Sequence, residues 1–237
     1  MKKMITLVLV ACMLCAMMVP ALAANFTPSV SGKPAPVLKP LDEDAMAIIR
    51  FDDPDQDDDG TDDGDDNEDV KIPFGALIIT PVSEKDEAPQ AIKETLEWAY
   101  EDIKSKTSLS ELSAADEINS ALEEMGKDLT VDDMVVRDLF DARLVGIYED
   151  MLPAPGKSIE ICFDLQLDPD QTLIVISSLD NETWYCVDPA NVVINEDGSV
   201  TVRFAELCAI AFLVDGAEIV IDPNAEDTVV SPQTGEF

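Results

Sequence analysis

Histidine is absent from all 237 residues. Without an imidazole there is no His-dependent triad, no His-ligated zinc and no side chain whose ordinary pKa lies near neutrality, which removes most hydrolase mechanisms together. No glycine-rich phosphate loop with its following lysine occurs, and no Cys-x-x-Cys appears beyond residue 24. Basic residues are scarce, 15 against 50 acidic ones, for a net charge of −35. Such a surface repels nucleic acid and anionic lipid, and favours cations or partners with basic faces. Aromatic residues are only 5% of the chain, so the platforms on which sugar clefts are built reduce to Trp98, Tyr100, Tyr148, Trp184 and Tyr185. The enzyme class these absences leave open is acid–base work by paired carboxylates, as in glycosidases. The expectation adopted is that the chain is not an enzyme, with a carboxylate-dependent glycan hydrolase as an alternative.

What is present begins with MKKMITLVLVACMLCAMMVPALAA. Two lysines, an apolar run from Met4 to Val19, then Pro20 and the small residues Ala21 and Ala23 read as a secretory signal peptide cleaved near Ala23 or Ala24. The run is too short and too early for a membrane span, so none is expected in the mature chain. A rival reading takes Leu9-Val10-Ala11-Cys12 as the consensus before a lipidated cysteine. That leaves an apolar region of only about seven residues, and apolar residues continue past Cys12. Loss of residues 1–24 removes two lysines and no acid, taking the charge from −35 to −37 and leaving 213 residues. That is enough for one ordinary domain with flexible ends. Cys162, Cys186 and Cys208 remain, an odd number inside apolar segments; they read as small hydrophobes, with one bridge between two of them left open.

Residues 25–45 carry Pro28, Pro34, Pro36 and Pro40 and read as a Pro-rich linker. Residues 46–82 read as a β-hairpin: AMAIIRF ends at Phe51, VKIPFGALIITPV begins at Val70, and Pro73 marks an edge or bulge. Its tip, residues 52–69, is acidic at 12 of 18 positions, and self-repulsion keeps such a tract solvated unless cations neutralise it. Residues 83–130 read as a helical segment. Ile92, Leu96, Ala99 and Ile103 line one face of a helix that opens near Pro89 and ends near Lys106, with Trp98 at the edge of the stripe. Ala114, Ile118, Ala121, Leu122 and Met125 line a second helix, with Ser113 as its N-cap and Gly126 as its stop.

From Val131 the period changes to two, and residues 131–222 read as a β-sandwich domain. Met134, Val136, Phe140, Ala142 and Leu144 are expected on one side of an extended segment, Asp138 being the misfit. Ile159, Ile161, Phe163 and Leu165 alternate with polar or small residues, and TLIVISS at 172–178 reads as a central strand. Asp197-Gly198 and Asp215-Gly216 supply turns for hairpins joining 192–194 to 199–204 and 207–214 to 217–221. The predicted fold is α+β: an antiparallel, immunoglobulin-like sandwich with a two-helix segment and an N-terminal hairpin. Residues 223–237 read as a disordered tail.

Within the acidic tip, Asp55, Asp57, Asp59, Gly60, Thr61, Asp63 and Asp66 fit D-x-D-x-D-G with oxygen ligands at positions 1, 3, 5, 7, 9 and 12, a spacing that can wrap calcium. Over these residues the tip resembles the loops of EF-hand and thrombospondin type 3 proteins. That resemblance implies calcium, although Asp66 stands where EF-hands place a bidentate glutamate. No other cofactor is expected. Near the end, Ser231-Pro232-Gln233-Thr234-Gly235 resembles a sortase sorting motif with Ser231 in place of leucine; whether the apolar span and basic end of a sorting signal belong to the intended product is left open. Asn25-Phe26-Thr27-Pro28-Ser29-Val30, Ile78-Ile79-Thr80-Pro81-Val82, Val135-Val136-Arg137-Asp138-Leu139-Phe140-Asp141, Leu207-Cys208-Ala209-Ile210-Ala211-Phe212 and the SPQTG tail together resemble a group of uncharacterised secreted or cell-surface proteins of Gram-positive anaerobes. The resemblance implies export and an extracellular or cell-envelope partner. It does not imply a reaction.

Overall fold

The computed structural model describes residues 35–51, 69–168 and 171–215. The leader, the sortase-like tail and the calcium-loop residues Asp55, Asp57, Asp59, Thr61, Asp63 and Asp66 lie outside that set. The described residues form an α+β structure of two antiparallel sheets and two α-helices.

The first sheet has the order β3-β2-β6-β10-β9, where β2 is Ala47–Phe51, β3 Val70–Ile72, β6 Lys157–Asp164, β9 Val192–Ile194 and β10 Val200–Phe204. A sixth strand, β1 (Val37–Lys39), shares one flank of β6 with β2: β1 pairs with residues 162–164 and β2 with 157–161. The two are one strand interrupted by a turn, closed by the Leu41 N–H donating to the Ala45 carbonyl at 3.0 Å. The span expected as a Pro-rich linker therefore ends inside a sheet. The second sheet has the order β4-β5-β11-β7-β8, where β4 is Leu77–Pro81, β5 Met134–Leu144, β7 Leu173–Ser178, β8 Tyr185–Cys186 and β11 Ala209–Asp215.

The run from Val70 to Val82, which reads as a strand candidate broken by Pro73 and Gly75, is split between the sheets. Pro73 offers no ladder donor, and Gly75 sits at φ +81°, so the chain leaves one sheet after Ile72 and joins the other at Leu77. Because β1 to β4 complete both sheets, the body runs from 37 to 215 and is not confined to 131–222. Residues 217–221 lie outside the described set, but β11 has no flank left for a hairpin partner. It pairs with β5 on one side and β7 on the other along its length.

The two sheets bury their facing side chains against each other. Phe140 and Phe212 meet Phe163 at centroid separations of 5.8 and 5.0 Å, and Phe163 meets Phe204 edge-on at 6.3 Å. Fully buried aromatics at these separations carry a large share of a core's burial energy. The other face of the second sheet is covered by α1 (Gln90–Ser105) and α2 (Ala115–Glu124), which bury Leu96, Ala99, Ile103, Ile118 and Leu122.

β5 reaches both cores because it changes faces part-way. Opposite Phe212 and Leu213 the register jumps from Asp138 to Val136, which leaves Arg137 as the extra residue of a β-bulge. Met134 and Val136 therefore pack with the helices, while Phe140, Ala142 and Leu144 pack between the sheets. Strict alternation put all five on one side, and the misfit at Asp138 was the trace of the bulge. Ser113 also departs from expectation. It does not cap α2, whose N-cap is Ala114. Its hydroxyl instead accepts from the Trp184 N–H at 2.7 Å and donates to the Trp184 carbonyl at 3.2 Å.

Candidate functional site

β2 and β3 pair in register from Ala47↔Ile72 to Ile49↔Val70, so both ends of the acidic connection emerge from one edge hairpin. Arg50, the last basic residue before it, bonds to Asp69 where the chain returns and donates to both oxygens of Glu160 at 3.3 Å. The carboxylate of Glu160, then that of Asp69, hold the Arg50 pKa up. The hairpin thus starts and finishes the acidic loop in a charge-compensated position. Among the described residues no group of three or more His, Cys, Asp or Glu side chains is arranged to hold a metal ion.

A polar cleft of about 430 Å³ opens between α1 and the β4–β5 end of the second sheet, walled by Glu94, Thr95, Arg143, Glu149, Asn181 and Cys208. Arg143 on this wall is bonded to Asp141, which is 0% exposed. Residues 141–143 read Asp-Ala-Arg, so the two charged side chains share the helix-facing side of β5 while Ala142 enters the inter-sheet core. Arg143 grips Asp141 bidentately, Nε to Oδ1 at 2.8 Å and Nη2 to Oδ2 at 3.1 Å. Nη2 also donates to Thr95 Oγ1 at 3.3 Å, and the Thr95 hydroxyl donates to the Ala91 carbonyl at 3.0 Å, tying β5 to α1. Burial pushes the Asp141 carboxyl up despite its partner, and Asp141 holds the Arg143 guanidinium up.

Cys208 lies on the same wall, and burial followed by the charge of Asp141 raises its pKa. A thiol held protonated is a poor nucleophile, and no imidazole is available to activate it. The cleft can bind polar groups, but its guanidinium is committed to Asp141. No family model, curated protein or solved structure matches this chain.

Of the aromatic residues considered as sugar platforms, Trp184 is 1% exposed and stacks on Trp98 at 5.2 Å, 26° between planes. Its Nε1–H donates to Asp102 Oδ2 at 3.1 Å. This ring closes the helix–sheet core and offers no open face. Cys186, two residues on, is pushed up to about 12 by burial, then by Glu117 and Asp188. The three cysteines are unpaired.

A second, narrower depression of about 150 Å³ runs along β7 on the side away from β11, lined by Met125, Lys127, Leu173, Ile174, Val187 and Ile194 among others. It is mostly apolar, and Ile194 on the edge strand β9 stands 41% exposed beside it. Sequence reading missed both depressions. Asp141-Ala142-Arg143 inside an apolar strand was the available signal for the cleft. The groove has none, since Met125, Ile174 and Ile194 come from elements far apart in sequence.

Proposed function

We propose that this chain is a non-catalytic binding or scaffold protein, secreted by or displayed on a Gram-positive bacterium, built on an immunoglobulin-like sandwich. The observation that carries the reading is the Asp141–Arg143–Thr95 network. In the polar cleft beside α1, Asp141, Arg143 and Thr95 are spent joining a strand to a helix, and the neighbouring thiol is held protonated. The signal-peptide pattern and SPQTG support the compartment. The repeated passage of the chain from one antiparallel sheet to the other, as between β3 and β4 and between β5 and β6, supports the immunoglobulin-like description. Exposed contact residues support binding: Phe74 at 57% and Ile147 at 87% stand on neighbouring turns joined by the Val145 N–H donating to the Ala76 carbonyl at 2.9 Å. Expression in a Gram-positive host with fractionation and N-terminal sequencing is the test. The expected outcome is protein in the medium or envelope, starting near residue 24 or 25, and no product from a screen of cell-wall and mucin-type glycans. Retention of the leader in the cytosol, or glycan turnover, overturns the proposal.

A second reading adds calcium. Pairing of β2 with β3 brings the ends of the D-x-D-x-D-G loop together, which reduces the ordering cost of wrapping an ion. Titration calorimetry of the mature protein should show saturable heat that disappears when Asp57 and Asp59 are changed to Asn. Unchanged heat in that variant discards the reading.

A further inference from the structure

We propose that the free flank of β4 is a self-association edge, on which a second copy of this chain pairs antiparallel about a two-fold axis at Ile78, joining two five-stranded sheets into one. Neither compartment nor the function proposed above enters. Backbone parity defines the flank. The Val145 N–H donates to the Ala76 carbonyl at 2.9 Å, and β4 pairs with β5 in the same register from Leu77↔Leu144 to Pro81↔Phe140. Residues that exchange bonds alternate along an antiparallel pair, so Ala76, Ile78 and Thr80 turn their backbone groups to β5 while Leu77, Ile79 and Pro81 turn theirs away. The opposite side of β5 has the matching phase: the Ala142 N–H donates to the Cys208 carbonyl at 2.9 Å, which leaves Asp141, Arg143 and Val145 facing β4. Among the described residues no strand lies on the outer flank of β4, and none bonds the outward N–H or carbonyl of Leu77 or Ile79.

Sheets protect their edges by shortness, charge, bulges or proline. β3, β8 and β9 are two or three residues long, whereas β4 has five, none of them charged. Its proline, Pro81, faces the open flank at the end of the strand, where the missing N–H costs β5 nothing. Pro81 does select a register. With the axis at Ile78, Leu77 of each copy lies opposite Ile79 of the other, and both exchange their outward bonds while Pro81 and Gly75 stay outside the paired window. An axis at Ile79 would set Leu77 against Pro81, which has no N–H to give.

Side chains and charge fit the same occupant. Ile78, 43% exposed, meets its counterpart at the axis, and Phe74, 57% exposed, stands in the turn that leads into the strand. From Val70 to Ser83 there is no acid, in a chain that carries 50. The carboxylate opposite Thr80, that of Asp141, is 0% exposed and bonded to Arg143. The other uncharged edges run into acids, β8 into Asp188 and β9 into Glu196 and Asp197. In a chain of net charge −35 an acid-free edge is where a second copy meets no local repulsion. A strand that is complementary to itself under a two-fold rotation closes as a dimer.

Sedimentation of the mature chain across a range of concentrations tests this. A species of twice the monomer mass should grow with concentration, and salt should favour it by screening the charge on the two copies. Ile78→Lys sets like charges opposite each other at the axis. It should stay monomeric where the parent is dimeric, and it should melt like the dilute parent because the side chain it replaces is exposed. Ile78→Cys reads the register. Opposed residues whose backbones face away from each other have Cα atoms about 4.5 Å apart, within the reach of a disulfide, so mild oxidation should join two copies. Thr80→Cys points to the same face but lies about 14 Å from its counterpart, and it should cross-link no faster than the parent with its three free cysteines. A mature chain that is monomeric at every concentration overturns the proposal. So does a dimer that survives Ile78→Lys, or one in which Thr80→Cys cross-links as readily as Ile78→Cys.

Discussion

Asp141 and Arg143 show how a single pair decides what a cleft can do. A carboxylate with 0% exposure is costly, and here burial outweighs its partner, so its pKa rises. A raised carboxyl favours the native state at low pH: its contribution is complete below the unfolded value, about 3.9, and is lost as pH climbs through the folded value. Asp133 and Asp180, held low by N–H donors from Thr130 and from Thr183 and Glu182, act in the opposite sense, and their contribution is lost as pH falls. Arg143→Met leaves Asp141 buried without a partner. Breaking a buried pair costs about 3–5 kcal/mol, and with the Arg143 side chain 34% exposed the discounted expectation is about 2–3 kcal/mol at pH 7. Urea melts should show this loss shrinking between pH 7 and pH 5, as the stranded carboxyl takes up a proton. A penalty that is constant or growing on acidification would show that Asp141 does not carry it.

Among the elements, turns and caps are where local sequence acts most directly. α2 stops in a Schellman arrangement: the Gly126 N–H donates to the Glu123 carbonyl at 2.9 Å and the Lys127 N–H to the Leu122 carbonyl at 3.0 Å, with Gly126 at φ +68°. Gly198, at φ +77°, closes the β9–β10 hairpin under a tighter constraint, because a Cβ there would lie 2.9 Å from the Leu167 carbonyl oxygen. Gly126→Ala meets open space and pays only for its backbone conformation, about 1 kcal/mol. Gly198→Ala adds a backbone clash and should cost at least about 1 kcal/mol more. Thermal or urea melts of the two variants check the order, and equal losses would refute the role given to Leu167. The β5 bulge is the element-scale feature that pattern reading misplaced. Period-two alternation assigns one face per strand, and an extra residue at Arg137 exchanges the faces.

At the scale of the molecule, charge dominates. With 50 acids against 15 bases, folding gathers like charges, so screening should stabilise the native state. The melting midpoint should rise by several degrees between about 10 mM and 500 mM NaCl, over which the screening length falls several-fold. A flat or falling midpoint would mean that the paired cations on the surface already offset the repulsion. Both helices, the β9–β10 hairpin and the long β6 were legible in the sequence, because each is set by contacts or turn residues within one short stretch. So was the antiparallel two-sheet class, which follows from the density of turns among β-branched runs. Division of the Val70 run between two sheets, the change of face in β5, the pairing of β1 beside β2, the cleft at Arg143 and the groove at Lys127 came only with tertiary structure. Each depends on which distant strand or helix occupies a flank, and that is settled by burial and hydrogen-bond satisfaction over the whole body, not by the order of residues along any one segment.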